Sequence, residues 1–289
     1  MQYGIFVQNV SFSNIKAEQL YIKWDEKIRV HVKEITLTNT EDKNSSLTDY
    51  QSLLTSLKPR LAYLSLFEEI SLEKVTFDNF NLEVKYSEAN DGFIKLYSPD
   101  VAIEGLLTSN GTFFHLLLQK CEIIDKALKI HGDIIFTTND SLELTTTLEV
   151  GVQNETRLKL YTNSNREKLR YAVESEQKIK NMKQIVALFG FDPELKYWVD
   201  DAIVLSSLEL QALYGWLEYE KIEDAYLNIY AKAVANDLIY TYDTKVAPIR
   251  TKMTDLEFKN GVLFIRPQNA YSYDFFLDKS WLKIDFTKK

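Results

Sequence analysis

From residue 71 to about residue 174, apolar and polar side chains alternate almost without interruption. LEKVTFDNFNLEVKYSE, GFIKLYSPDVAIEGLL, GTFFHLLLQKCEII, KALKIHGDIIFTT, SLELTTTLEVGV, TRLKLYTN and LRYAVESE follow one another, separated by EANDG, SNG, IDK, TND, QNE and NSNRE. A period of two places one class of side chain on each face of a strand. The separators are hairpin residues at roughly even spacing. Consecutive hairpins build an antiparallel meander, because parallel neighbours need long crossovers. The 17 Tyr and 16 Phe suit pleated, half-buried surfaces, and nine Gly and five Pro leave no room for a linker-rich or collagen-like chain.

The same design opens and closes the chain. Ile5 and Val7 alternate over residues 3–12. Over 15–24, Leu20, Ile22 and Trp24 share one face while Tyr21 and Lys23 take the other. WDEK turns the chain, and Ile28, Val30 and Val32 alternate after it. At Lys33-Glu34 the phase slips by one, and Ile35 and Leu37 carry on. A slip of one residue moves every later side chain to the other face unless a bulge absorbs it, so a bulge is expected there. Near the other end, AYLNIYAKAVAN, DLIYTYDT, TKMTDLEFKNGVLFIRP, YSYDFFLD and WLKIDFTK are strands, with Lys259-Asn260-Gly261 the clearest hairpin turn.

Two segments change period. Leu47, Tyr50, Leu53, Leu54, Leu57, Leu61 and Leu64 recur every three or four residues, as on an amphipathic helix, with Ser45 or Ser46 as N-cap and a kink or break at Pro59. Ile179, Met182, Ile185, Val186 and Phe189 repeat the pattern before Gly190, and Pro193 opens a short helix, PELKYWVDD. AIVLSSLELQALYGWLEYEK fits neither period cleanly. The expected fold is mainly β with a few helices (α+β): a long curved antiparallel sheet forming an open groove, with helices packed at residues 46–66 and 177–200. A soft boundary near 176 divides a groove segment, 1–176, carrying an inserted helical hairpin or kinked helix, from a helix-led segment, 177–289, that continues the sheet, or the two form a single domain.

Little in the chain points to catalysis. Net charge is −8 and there is no basic stripe, which argues against nucleic acid as a partner. The single cysteine, Cys121, follows an apolar run and is expected as a buried structural thiol. His31, His115 and His131 each sit in a strand pattern, with no histidine or cysteine at ligand spacing. There is no HExxH, CxxC, GxSxG, Walker loop or GxGxxG, so neither a metal nor a cofactor is expected. The adjacent carboxylates Glu68-Glu69 and Asp200-Asp201 point in different directions on any regular element. Trp198, Tyr214, Trp216, Tyr219 and Tyr226 form an aromatic group that fits a packed corner or a carbohydrate or lipid site. No apolar run reaches the roughly 18 residues of a spanning helix, and MQYGIFVQNVSFSNI lacks the features of an export signal. The chain starts within a strand-like pattern, so further polypeptide is expected upstream.

A sheet of about ten or more strands closes, curls or is covered. Two helices cover only part of such a sheet, and an apolar face left open binds something oily or a partner. The alternating apolar sets that would line it are Leu20, Ile22 and Trp24; Ile28, Val30 and Val32; Phe77, Leu82 and Val84; and Phe258, Leu263 and Ile265.

FGFDPELKYWVDDAIVLSSLELQALYGWLEYE, AYLNIYAKAVANDLIYTYDTKVAPI and DLEFKNGVLFIRPQNAYSYDFFLDKSWLKIDF resemble the AsmA-like superfamily, in particular its YhdP-type branch. Pro193, Trp198, Pro248, Gly261 and Pro267 sit where that pattern has its helix end, its turn and its hairpin, and LYIKWDEKIRVHVKEI looks like the start of the periplasmic part. The resemblance implies a bacterial envelope protein without enzymatic activity. It implies a periplasmic β-groove, anchored in the inner membrane in the full-length protein, that moves phospholipid between the inner and outer membranes. The chain lacks the anchor helix and is shorter than such proteins, so it is expected to be an N-terminal piece. Expected partners are phospholipid or another acyl-chain lipid, envelope membrane proteins and the remaining polypeptide. The alternatives are an envelope assembly module whose apolar face is covered by the rest of the chain or a partner, and a glycan-active enzyme with two carboxylates about 5–10 Å apart.

Overall fold

The computed structural model describes residues 4–37, 63–88, 92–110, 113–137, 143–153, 155–180, 182–186, 201–241, 245–273, 275–277 and 279–287. These form 21 strands, and the fold is mainly β with an open antiparallel sheet. Two compact units divide the chain: Met1–Leu148 with Asn163–Arg166, and Glu149–Thr162 with Glu167–Lys289. The division falls within β11 (Glu143–Val152) and β12 (Thr156–Ser164), upstream of residue 176.

In the first unit, β1 (Gly4–Val7) and β2 (Val10–Phe12) both pair with β3 (Ile15–Trp24), which pairs with β4 (Ile28–Leu37). From β5 (Phe67–Phe77), the strands β6 (Phe80–Ser87), β7 (Gly92–Tyr97), β8 (Val101–Ser109), β9 (Phe113–Ile123) and β10 (Leu128–Thr137) follow as antiparallel neighbours. This is the meander that the alternation predicts.

The sheet departs from the antiparallel expectation at one place. β4 and β5 pair in parallel. Residues 38–66 connect them, and a parallel pair needs a crossover of this kind rather than a tight turn. The break in sequence period between the two strands is therefore the connection that a parallel pair demands. Residues 38–62 lie outside the described residues, and with them most of the helix expected over 46–66 and its kink at Pro59. Tyr63 and Leu64 are helical and turn into β5, where the Leu66 carbonyl accepts from the Ile28 amide at 2.9 Å.

The expected bulge at Lys33-Glu34 takes a different form. Glu18 pairs with Glu34 and Leu20 with Val32, so β4 keeps its register with β3 through the slip. It keeps its register with β5 as well, Val32 opposite Leu72 and Ile35 opposite Val75. The phase is conserved because three strands slip in one row. β3 passes through Gln19, whose φ of 47° lies in the left-handed region. β5 changes phase between Leu72 and Val75, and its extra residue is taken up against β6 as a bulge. Glu73 and Lys74, in this row, reach His31 at 3.2 Å and Glu34 at 2.6 Å.

The second unit contains β13 (Lys168–Ser175), helix α1 (Met182–Val186), β14 (Ile203–Val204), β15 (Ser207–Glu218), 3-10 turns over Tyr219–Asn228, β16 (Ile229–Tyr240), β17 (Ile249–Lys259), β18 (Val262–Gln268), β19 (Ala270–Ser272), β20 (Phe275–Leu277) and β21 (Leu282–Asp285). β13 pairs with β15, then β15, β16, β17 and β18 are successive antiparallel neighbours, and β21 pairs with β18. The ambiguous stretch AIVLSSLELQALYGWLEYEK thus holds β14 and the long strand β15. Asn260 and Gly261 both have positive φ, 53° and 71°, between the paired Lys259 and Val262, as a type I′ hairpin requires.

Here the core is covered. Ile179, Leu208, Ala233, Ala235 and Leu238 are buried together, with Met182, Ile185, Leu210, Tyr240 and Leu256 packed around them. The helix expected from residue 177 begins later, at Met182, because Ile179 makes a β-bridge with Leu208 through two backbone hydrogen bonds of 2.7 and 2.8 Å. The small side chains of Ala233 and Ala235 leave the depth that Ile179, Met182 and Ile185 fill. Residues 187–200, including Pro193 and Trp198, lie outside the described residues.

Candidate functional site

The strand register settles which expected lining residues share a face. In the first unit Trp24 is opposite Ile28, Ile22 opposite Val30 and Leu20 opposite Val32. Val30 and Val32 are opposite Ile70 and Leu72 of β5. Leu72 and Val75 meet Val84 and Leu82, and Phe77 meets Phe80. Partners in register lie on the same side of a sheet. Leu82 and Val84 are two apart on an uninterrupted strand, so the side chains before and after the slip belong to one face. All nine expected residues of this unit, Leu20, Ile22, Trp24, Ile28, Val30, Val32, Phe77, Leu82 and Val84, are gathered there.

The face extends further than the expected set. Leu82 and Val84 meet Leu96 and Ile94 of β7; Leu96 meets Ile103 of β8; Ile103 meets Cys121, and Leu107 meets Leu116, on β9; Leu116 meets Ile134 of β10. These positions carry the same alternation, and the signal that would have found them was the hairpin register. The face is mixed in exposure: Trp24 is 73 % exposed and most positions are half-buried, while Val32, Val75, Tyr86, Phe114, Leu118 and Cys121 are buried among their neighbours. Burial raises the Cys121 thiol above its ordinary range, in keeping with a structural, unreactive cysteine.

Phe258, Leu263 and Ile265 belong to the second unit. Phe258 is opposite Leu263 and Leu256 opposite Ile265, on the face that carries Ala233 and Ala235. Ile265 is 6 % exposed. These three residues share the face of the second unit's core, apart from the first nine; Ile265 is buried, and Phe258 and Leu263 are half-buried.

The opposite face of the first unit carries a self-neutralising charged row beside an apolar one, Phe93, Leu106 and Leu117. Glu83 is opposite Lys95, Lys95 opposite Glu104, and Glu104 opposite Lys120, an alternating row over four strands. Lys95 Nζ stands 3.4 Å from Glu83. Toward β4, Arg29 holds Glu68 in a two-pronged ion pair and lowers its carboxyl below the usual range. In the second unit Lys159 does the same to Glu176. Burial, aided by its bond to Glu104, raises the Tyr97 hydroxyl.

His115, His31, Glu68 and Glu69 are each engaged by a neighbouring side chain. His115 Nε2 is 2.7 Å from Asp133, and His31 is 3.2 Å from Glu73. Glu68 pairs with Arg29 while Glu69 lies 4.0 Å from Lys85, so the adjacent carboxylates diverge. Among the described residues no three His, Cys, Asp or Glu side chains converge as a metal site, and no helix is long and apolar enough to cross a membrane. Of the aromatic group, Trp198 is outside the described residues. Tyr214 and Trp216 stand opposite Ala172 and Arg170, on the face away from the core. Tyr214 stacks at 5.1 Å on Tyr230, and Lys168 caps Trp216 at 5.5 Å.

Compared with known protein families, curated proteins and solved structures, the chain matches none.

Proposed function

We propose that this chain is a non-enzymatic lipid-binding module of AsmA-like type in the bacterial envelope, holding phospholipid acyl chains against the apolar face of its first unit. One observation carries the reading: a single apolar face runs in register from β3 to β10, with most of its positions half-buried rather than sealed, while the other face carries a row of paired charges. A sheet evolved only to be stable would bury such a face. An acyl chain gains about 0.8 kcal/mol per CH₂ removed from water, so contact spread over several strands retains a lipid without a single strong site. The work is transfer from water to an apolar wall and requires no acid, base or nucleophile. The conduction of lipid between membranes is an extension of the same contact along successive strands.

The test is lipid extraction and native mass spectrometry of the purified chain, with displacement of a long-chain fluorescent fatty acid. Co-purified phospholipid and saturable probe binding are expected. Ile22→Asp or Val84→Asp should weaken probe binding about tenfold, since a carboxylate on this wall loses hydration. Lys95→Gln, on the other face, should leave it unchanged. Absence of both lipid and probe binding overturns the reading. The covered core of the second unit favours a structural role for that half, where the apolar face already has its cover.

A further inference from the structure

The end of the chain combines two features. The first is a cluster of exposed aromatics on and beside the β19–β20 hairpin. Phe275 is 73 % exposed, Trp281 64 % and Tyr273 62 %, and Tyr271 and Phe276 are half exposed. The strands of this hairpin have three residues each, too short to hide such side chains. The second feature is charge. Residues 245–289 carry nine Lys and Arg against five Asp and Glu, a surplus of four positive charges in a chain whose net charge is −8.

We infer that this hairpin docks the protein on a bilayer surface bearing anionic headgroups. Tyr and Trp combine an apolar body with a polar tip and settle at the level of lipid headgroups, and Phe275 at the tip supplies a wholly apolar contact. Tyr271 and Phe276 face each other across the hairpin with ring centroids 5.2 Å apart, so the aromatic surface is formed before contact. The hairpin's backbone groups are paired with each other, and Ser272 Oγ donates to the Ala247 carbonyl at 3.1 Å, so the turn meets the interface with few orphan polar groups. Arg250 is in register with Tyr271, and Lys279 lines a hollow of about 440 Å³ beside Trp281 together with Asp255 and Arg266, the latter paired with Glu257 at 2.9 Å. An anionic surface repels the acidic remainder of the chain and attracts this end, which sets the orientation of approach. The docking surface is distinct from the acyl-binding face of the first unit and does not rest on it.

Co-sedimentation of the full chain with vesicles tests the inference. Binding to phosphatidylglycerol–phosphatidylethanolamine vesicles should exceed binding to phosphatidylcholine vesicles about tenfold and weaken at high salt. Phe275→Ser combined with Trp281→Ser should reduce it about tenfold with an unchanged thermal midpoint, since both side chains are exposed. Lys279→Glu, which removes no apolar contact, should reduce it about fivefold or more at low salt. Equal binding to the two vesicle types, or variants that bind as the parent does, overturns the inference. So does concentration-dependent self-association that the aromatic variants abolish while no vesicle binding is seen, since a second copy is then the occupant. Vesicle docking without retained acyl chains would leave this inference standing and defeat the proposed lipid-binding face; retained lipid without docking would do the reverse.

Discussion

The two units treat the same problem differently. Each has a sheet with one apolar face. In the second, β16 places Ala233 and Ala235 under that face, and Ile179, Met182 and Ile185 drop into the space they leave. In the first, the corresponding positions are the larger Leu20, Ile22, Val30, Leu72 and Val84, which fill the surface themselves and stay half-buried among the described residues. Small side chains in a sheet invite a cover, whereas large branched ones make a wall.

Both units also use one backbone device. In the first, β3, β4 and β5 change phase in a single row that includes Gln19. In the second, β16, β17 and the β18–β19 junction do so at Asp237, Lys252 and Asn269, with φ of 48° at Asp237 and 53° at Asn269. Asn236 stays opposite Met253 and Leu238 opposite Thr251, so the register is kept while Ala235 and Leu238 both face the core. Asp and Asn tolerate the left-handed conformation better than Gln does. Asp237 also accepts a hydrogen bond from Ser206 Oγ at 2.8 Å.

The sharpest way to break the comparison is to hollow out each face. Leu208→Ala should cost about 2–5 kcal/mol in a denaturant titration, because it opens a cavity under a covered core. Ile22→Ala, on the open wall, should cost about 1 kcal/mol, since only a partly buried side chain is shortened. Equal losses would mean that the first face is as fully covered as the second. The phase rows come next. Gln19→Gly should stabilise by up to about 1 kcal/mol by relieving the left-handed backbone, while Asp237→Gly should gain nothing, because the same relief is offset by the lost Ser206 bond. Matching shifts in thermal midpoint would remove the distinction.

Smaller still is the charged face. Lys95→Glu sets like charges against both Glu83 and Glu104 and should cost up to about 1 kcal/mol at low salt, fading as salt screens these part-exposed groups. The smallest effect is that of pH. Glu68 and Glu176 are held below their ordinary range by Arg29 and Lys159, so each contributes stability above the unfolded carboxylate pKa of about 4.3 and loses it as pH falls through the lower folded value. Glu68→Gln and Glu176→Gln should flatten the acid limb of the stability profile slightly and to a similar extent in the two units. A profile unchanged by both would show that these exposed pairs contribute nothing measurable.

Much of this was legible in the chain. Alternation and hairpin residues marked β6 to β13, and Lys259-Asn260-Gly261 marked its turn, because side-chain period and turn chemistry are local properties. The slip at Lys33-Glu34 was visible too, though its resolution was not. Keeping β4 in register depends on Gln19 and on the β5 bulge, which lie on other strands. The phase changes at Asp237 and Asn269 had the same signal in the shift from Ala235 to Leu238 and from Ile265 to Ala270. Ile179 was read as helical because its spacing from Met182 and Ile185 fits a helix, yet a backbone pair with Leu208 claims it.

Sequence alone determined that this is a strand-dominated chain with one oily and one polar side to most strands, since each residue's preference for a pleated surface is expressed over a few neighbours. Tertiary structure decided that β4 and β5 run parallel, that three strands slip together, and that Val84 belongs to an open wall while Ile265 belongs to a covered core. Those outcomes depend on which strands become neighbours and on what volume their side chains leave between them, and neither is encoded within any one strand.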